Sequence, residues 1–192
     1  MGQIYKRIPE YFDHIGAGDF IEIGSSRPGD DQSSQFLNNL ANELGRTFIT
    51  CDINPELAND LNQLNIPAIT AQGEDFLASY NFPIAVAYLD SFDWNWHPMA
   101  TEDWTLVQIE EYKTKFNIEM TNVMSQASHL AQAIEVERKS AQQSLIVIDD
   151  TWFDRGWDIY NGKGGAAVPY LISKGYRVLY TEQYGTILGR FK

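Results

Sequence analysis

The chain has 192 residues, 44% hydrophobic and 13% aromatic, which is enough for one domain with a sizeable core and too apolar for a disordered chain. A formal net charge of −12 argues against nucleic acid as partner, since displacing counterions from a phosphate backbone needs a basic face. No apolar run reaches membrane-spanning length, residues 1–18 lack the layout of a secretory signal, and Lys6 stands where a myristoylation motif needs Ser or Thr, so no membrane partner is expected.

In chain order, Ile4, Ile8, Tyr11, Phe12 and Ile15 recur at helical spacing, with Pro9 opening a second short helix after a break at Ile8. Phe20 to Ile23 reads as a strand that contains one acid, Glu22. Gly24 to Gly29 carries turn residues, and Asp30 to Ser34 holds capping side chains ahead of the helical set Phe36, Leu37, Leu40 and Leu44. This strand, loop and helix form the first half of a nucleotide-binding βαβ unit, in which glycine lets backbone N–H groups approach a polar ligand. The loop is not G-x-G-x-x-G, and on its own it is equally a plain strand-to-helix turn.

Arg46 to Cys51 is a second strand, ending at Asp52, where an acid can accept hydrogen bonds from ribose hydroxyls. Cys51, the single cysteine, reads as a buried small residue, consistent with a reducing cytoplasm. Asn54-Pro55-Glu56 starts a helix that runs to about Asn65, and Ile66 to Ala71 forms a third strand. Gln72-Gly73-Glu74-Asp75 leads into a short helix with Phe76, Leu77 and Tyr80. Ile84 to Leu89 is apolar enough to be covered on both faces, and it ends at Asp90.

A tryptophan-rich loop follows, with Trp94, Trp96, His97, Pro98 and Trp104, and then helical periodicity from Leu106 nearly to Arg138, long enough to require a kink or break. Leu145 to Ile148 is the fifth strand and ends at Asp149-Asp150. A loop through Trp152, Phe153 and Trp157 leads to Gly162-Lys163-Gly164-Gly165 and a helix ending near Lys174-Gly175. Tyr176 to Thr181 and Tyr184 to Phe191 close the chain as a hairpin. Alternating strands and helices call for a parallel sheet with right-handed crossovers, in one domain covering 1–192, with a helical leader at 1–18 and the loop and long helix at 91–143.

On Glu22-Ile23-Gly24, Cys51-Asp52-Ile53-Asn54-Pro55, Gly73-Glu74-Asp75, Leu89-Asp90 and the closing hairpin, the chain resembles a class I S-adenosylmethionine-dependent methyltransferase over about residues 17–192. Within that family it looks most like the metal-dependent catechol O-methyltransferase type, which carries an acid-x-Asn-Pro segment like Asp52 to Pro55 and an acid pair like Asp149-Asp150. The resemblance implies an α/β fold, a Rossmann-like methyltransferase sandwich whose mostly parallel seven-stranded sheet has an antiparallel C-terminal strand. It implies methyl transfer from S-adenosylmethionine to an oxygen of a small-molecule acceptor, with Mg²⁺ or another divalent cation assisting, and the tryptophans of the two loops suit an aromatic or sugar-like acceptor. Cofactor contacts would come from Glu22, Gly24, Ser25, Ser33, Asp52, Ile53, Gly73, Glu74, Asp75 and Asp90, and metal ligands from Asp90, Asp149 and Asp150. The first loop departs from the family pattern, since Pro28-Gly29-Asp30-Asp31-Gln32 intervenes before Ser33.

The acids can be read physically as well. Carboxylates that gather at neighbouring strand ends repel unless one is protonated or a cation bridges them, and oxygen ligands suit a hard divalent ion. Equally, Asp149-Asp150 is a loop cap and Asp90 a cofactor contact without metal. Where catechol-type enzymes place a lysine base, this chain has Asp93; His97 is the titratable alternative, or else a solvated loop residue. The five tryptophans, Trp94, Trp96, Trp104, Trp152 and Trp157, either wall an acceptor cleft or bury the undersides of their loops. Gly162-Lys163-Gly164-Gly165 is no P-loop; it starts a helix, with Lys163 an outside candidate for acceptor contact. A cofactor-binding module without turnover and a nicotinamide-dependent reductase are the competing functions, and a homo-oligomer is left open.

Overall fold

The computed structural model describes residues 3–29, 32–96 and 103–191, and among these every side chain except those of residues 14 and 103–105. Its main sheet has the strand order β3-β2-β1-β4-β5-β9-β8, built from β1 (Asp19–Ile23), β2 (Phe48–Asp52), β3 (Ala68–Thr70), β4 (Ile84–Leu89), β5 (Ser140–Asp149), β8 (Arg177–Glu182) and β9 (Gly185–Arg190). The first five are parallel, while β9 runs antiparallel to both β5 and β8. The central strand β4 is buried along its whole length, as its unbroken apolar run requires.

Alternation of side chains along the strands divides the core between the two sheet faces. Ile21, Ile23, Cys51 and Ile146 meet Phe76 and Leu77 of α3 (Gly73–Ser79), Ala133 and Val136 of α5 (Asn122–Lys139), and Val168 and Leu171 of α6 (Ala167–Ser173). On the other face, Phe20, Phe48, Val86 and Val147 meet Leu37 and Leu40 of α1 (Ser33–Glu43), Leu57 and Leu61 of α2 (Pro55–Gln63), and Ile4, Tyr5 and Ile8 of the leader. Helix α2 starts as its sequence dictates: Asn54 accepts hydrogen bonds from the Glu56 and Leu57 amides, and Pro55 occupies the first turn.

Several segments differ from the sequence reading. The leader Ile4–His14 is a 3₁₀ helix with Pro9 inside it, where proline has no N–H to give an α-helical ladder. The expected long helix breaks into α4 (Asp103–Phe116) and α5, because Asn117 turns left-handed at φ 54° and Thr121 caps a new helix by accepting from the Met124 amide. The loop after Asp150 contains a hairpin, β6 (Thr151–Asp154) with β7 (Ile159–Gly162), whose turn is held by Asp154 accepting from the Gly156 amide. Helix α1 has no side-chain cap at Gln32; Asp30 and Asp31 lie outside the described residues. No helix among the described residues is long and apolar enough to cross a membrane.

Candidate functional site

Register builds the site. Ile23 pairs with Cys51 on one side and Leu89 on the other, and Leu89 pairs with Ile148, so the parallel strands end level. The residues that follow, Gly24, Asp52, Asp90 and Asp149, therefore project from one edge of the sheet. All four line a single cavity of about 820 Å³, within the size range of small-molecule sites. It lies at the carboxyl ends of the strands, where β1 and β4 diverge to opposite halves of the sheet and doubly wound folds bind ligands.

The β1 loop presses against the tip of β4. Gly24 has φ 87°, and a Cβ there would lie 2.4 Å from the Asp90 carbonyl oxygen, so no other residue fits. The Ser25 amide donates to Asp52 Oδ2 at 3.0 Å and the Asn54 amide to Oδ1 at 2.8 Å. Burial raises the Asp52 pKa, and these amide bonds oppose the rise. The carboxylate keeps acceptor capacity for a ligand in the cavity.

Glu22 does another job than the expected cofactor contact. It is fully buried and absent from the cavity wall, and its carboxylate accepts from the Ser33 hydroxyl at 2.6 Å and the Ser34 hydroxyl at 2.5 Å. It thus ties the first turn of α1 to β1. The Ser33 and Ser34 hydroxyls, expected as helix caps, are drawn to this acid instead. Ser33 still reaches the cavity wall, with Ser25 and Arg27.

On the far side of the cavity, Gly73 and Glu74 open α3, and the Ser128 hydroxyl of α5 donates to Glu74. Gln132 donates to Ser128 at 2.9 Å and to Ser91 at 2.7 Å, linking α5 to the tip of β4. Ile53 lines the cavity beside Asp52. Asp75, expected at the cofactor, faces a separate shallow groove with Phe76 and Tyr80, because it lies past Glu74 on the turning helix.

The metal set expected from Asp90, Asp149 and Asp150 is corrected by Lys163. All four residues line the cavity, but the buried Lys163 ammonium donates to Asp90 Oδ1 at 2.6 Å and lies 3.4 Å from Asp150 Oδ2. The Tyr88 hydroxyl, buried beneath, donates to Asp149 Oδ1 at 3.0 Å and approaches Asp90 Oδ2 at 3.2 Å. Among the described residues no His, Cys, Asp and Glu group is arranged to hold a metal ion. The carboxylates thus do not fit a divalent ion while a cation already stands between two of them. Burial opposes the Lys163 charge, yet Asp90, Asp150 and Asp149 outweigh it and hold its pKa well above that of a free lysine. Asp149 is raised well above the carboxylate range by burial and by Asp90.

Lys163 owes its place to glycine. Gly162 has φ 79°, and a Cβ there would meet the Asp150 carbonyl oxygen at 1.9 Å. The Lys163 amide donates to that oxygen at 3.0 Å, and the Gly164 amide to Thr151 Oγ1 at 2.8 Å. The sequence marked the lysine only by the glycines around it, in Gly162-Lys163-Gly164-Gly165, and not as a partner of the acids. Tyr88 gave no signal, because an aromatic residue in an apolar strand reads as core.

Of the tryptophans expected at the acceptor cleft, Trp96 lines the cavity, with Phe92, Tyr112, Phe116 and Tyr184. Trp152 stacks on Trp96 from outside at 4.9 Å, Trp94 packs edge-on against Trp152, and Trp157 is exposed. The Trp104 side chain and His97, the expected base, lie outside the described residues. Asp93, the other expected acid–base residue, lines the cavity.

No family model matches the chain, and neither does any curated protein. Among solved structures, one of SMU.1697c from Streptococcus mutans, described as a methyltransferase in complex with SAH, superposes with a TM-score of 0.56 at 13% identity, covering 100% of this chain and 99% of that one. A protein from Clostridium thermocellum described as an rRNA methylase gives 0.55 at 11% identity over 98% and 96% of the two chains. The pyocyanin biosynthetic protein PhzM gives 0.50 at 10% identity, covering 97% of this chain and 54% of that one. Similarity at this identity speaks for architecture, and the chain has the Rossmann-like methyltransferase fold.

Proposed function

We propose that the cavity binds S-adenosylmethionine and that the protein transfers its methyl group to an oxygen of a small-molecule acceptor. The observation that carries this reading is the convergence of Gly24, Asp52, Glu74 and Asp90 on one cavity in a methyltransferase fold. Gly24, Ser25 and Ser33 would back the methionine part, Asp52 and Ile53 the ribose, and Gly73 and Glu74 the adenine edge. Asp90 would stand between cofactor and acceptor.

In the reaction the acceptor oxygen attacks the methyl carbon, the carbon–sulfur bond breaks, and its electron pair stays on sulfur as the sulfonium charge is lost. The acceptor proton passes to a base, for which Asp93 on the cavity wall is the candidate. The protein contributes mainly by holding oxygen, methyl carbon and sulfur in line. Phe92, Trp96 and Tyr112 suit a planar or sugar-like acceptor and exclude water. The net charge of −12 favours a small molecule over RNA.

Titration calorimetry with S-adenosylhomocysteine, with NADH as the competing ligand, tests the cofactor assignment. Saturable binding of S-adenosylhomocysteine, weakened roughly tenfold to a hundredfold in Asp52→Ala, is expected. Binding of NADH in its place would overturn the reading in favour of a reductase.

A further inference from the structure

We propose that the ammonium of Lys163 is the resident cation of this site, taking the place between Asp90 and Asp150 that a divalent ion would otherwise fill. The inference stands on the carboxylate cluster itself and does not depend on which reaction the cavity carries out.

A buried lysine and three clustered carboxylates are each costly alone, and each offsets the other. Lys163 has 2% of its side chain exposed, against 29% for Asp90 and 20% for Asp150, so the ammonium is the innermost charge. An Mg²⁺ ligated by Asp90 Oδ1 would sit about 2.1 Å from that oxygen. The lysine nitrogen already sits 2.6 Å from it, and the two cations would repel at close range. The backbone that carries the lysine is fastened by the Lys163 and Gly164 amides and by Gln126 donating to the Gly162 carbonyl at 3.0 Å, and the side chain itself is buried. Asp149 takes its proton donor from Tyr88, so none of the three acids is left without a partner.

As they stand the three carboxylates do not converge on an ion, but with the ammonium removed Asp90, Asp149 and Asp150 line one cavity edge without their counter-charge and can turn their oxygens toward a hard divalent ion. Lysine also keeps an N–H beyond those given to Asp90 and Asp150, which could serve an oxygen atom of a bound molecule.

The test uses the full chain, Mn²⁺ alone as probe, and two readouts that need no activity: Mn²⁺ paramagnetic resonance and thermal melting. Wild type is expected to leave the free Mn²⁺ signal unchanged and to melt alike with Mn²⁺ or chelator. Lys163→Met is expected to bind one Mn²⁺ and to gain roughly 5–10 °C in Tm at a hundredfold excess over its Kd. Adding Asp90→Asn should abolish that gain, and Lys163→Arg should behave as wild type. Stoichiometric Mn²⁺ binding by wild type, or Lys163→Met that takes up no ion, would overturn the proposal. If Lys163→Met is insoluble, its refolding yield with and without Mn²⁺ decides: rescue supports the proposal, and no rescue overturns it.

Discussion

Replacing Glu22 by Gln should stabilise the protein above neutral pH, although it deletes a buried acid that accepts two hydrogen bonds. Burial raises the Glu22 pKa from 4.5 to about 7; the Ser33, Ser34 and Thr50 hydroxyls pull it down and Asp90 adds to the rise. Between those values the folded chain holds a proton that the unfolded chain has released, so stability falls as pH rises. At about 1.4 kcal/mol per pH unit, that interval amounts to roughly 3 kcal/mol, almost fully expressed at about pH 8 and under about 1 kcal/mol at pH 5. Glutamine can keep both contacts: its carbonyl accepts from Ser34 and its amide donates to Ser33, whose hydroxyl can turn to accept. Glu22→Gln should therefore melt roughly 6–12 °C above wild type at about pH 8, with the gap closing near pH 5. Urea titrations across that range, read as the difference between the two proteins, cancel the other buried acids. Parallel pH profiles, or a variant less stable at about pH 8, would refute the argument.

Gly24→Ala places a Cβ against the Asp90 carbonyl in a left-handed conformation; a loss of roughly 2–4 kcal/mol in urea titrations and of S-adenosylhomocysteine binding in calorimetry is expected. Asp52→Ala leaves the Ser25 and Asn54 amides without an acceptor and should weaken S-adenosylhomocysteine binding roughly tenfold to a hundredfold by calorimetry. Cys51 is buried, its thiol donates to the Ala71 carbonyl, and burial pushes its pKa up to about 12. It should resist thiol reagents in the native state and react only as fast as the chain unfolds. Trp96→Ala opens the aromatic wall beside Tyr184 and should weaken acceptor binding while leaving S-adenosylhomocysteine affinity within about twofold of wild type.

Much of the fold was legible in the sequence because its signals are local. The apolar run of Ile84 to Leu89, Asn54-Pro55 at the head of α2, and the short hairpin connection after Glu182 each name their own structure through burial, capping and turn length. Strand-end acids could be located too, since a strand that stops at Asp52, Asp90 or Asp149 delivers that residue to the sheet edge. Tertiary structure decided which way each side chain turned and what it met there. Pleat register turns Glu22 and Asp52 to the same face of the sheet, yet Glu22 lies inside its strand under α1, where serine hydroxyls take it, while Asp52 ends its strand at the cavity. Three carboxylates and a distant lysine are compatible with either a metal ion or an ammonium. The choice rests on Gly162 bending the chain back over Asp150, a contact between segments that no residue spacing encodes.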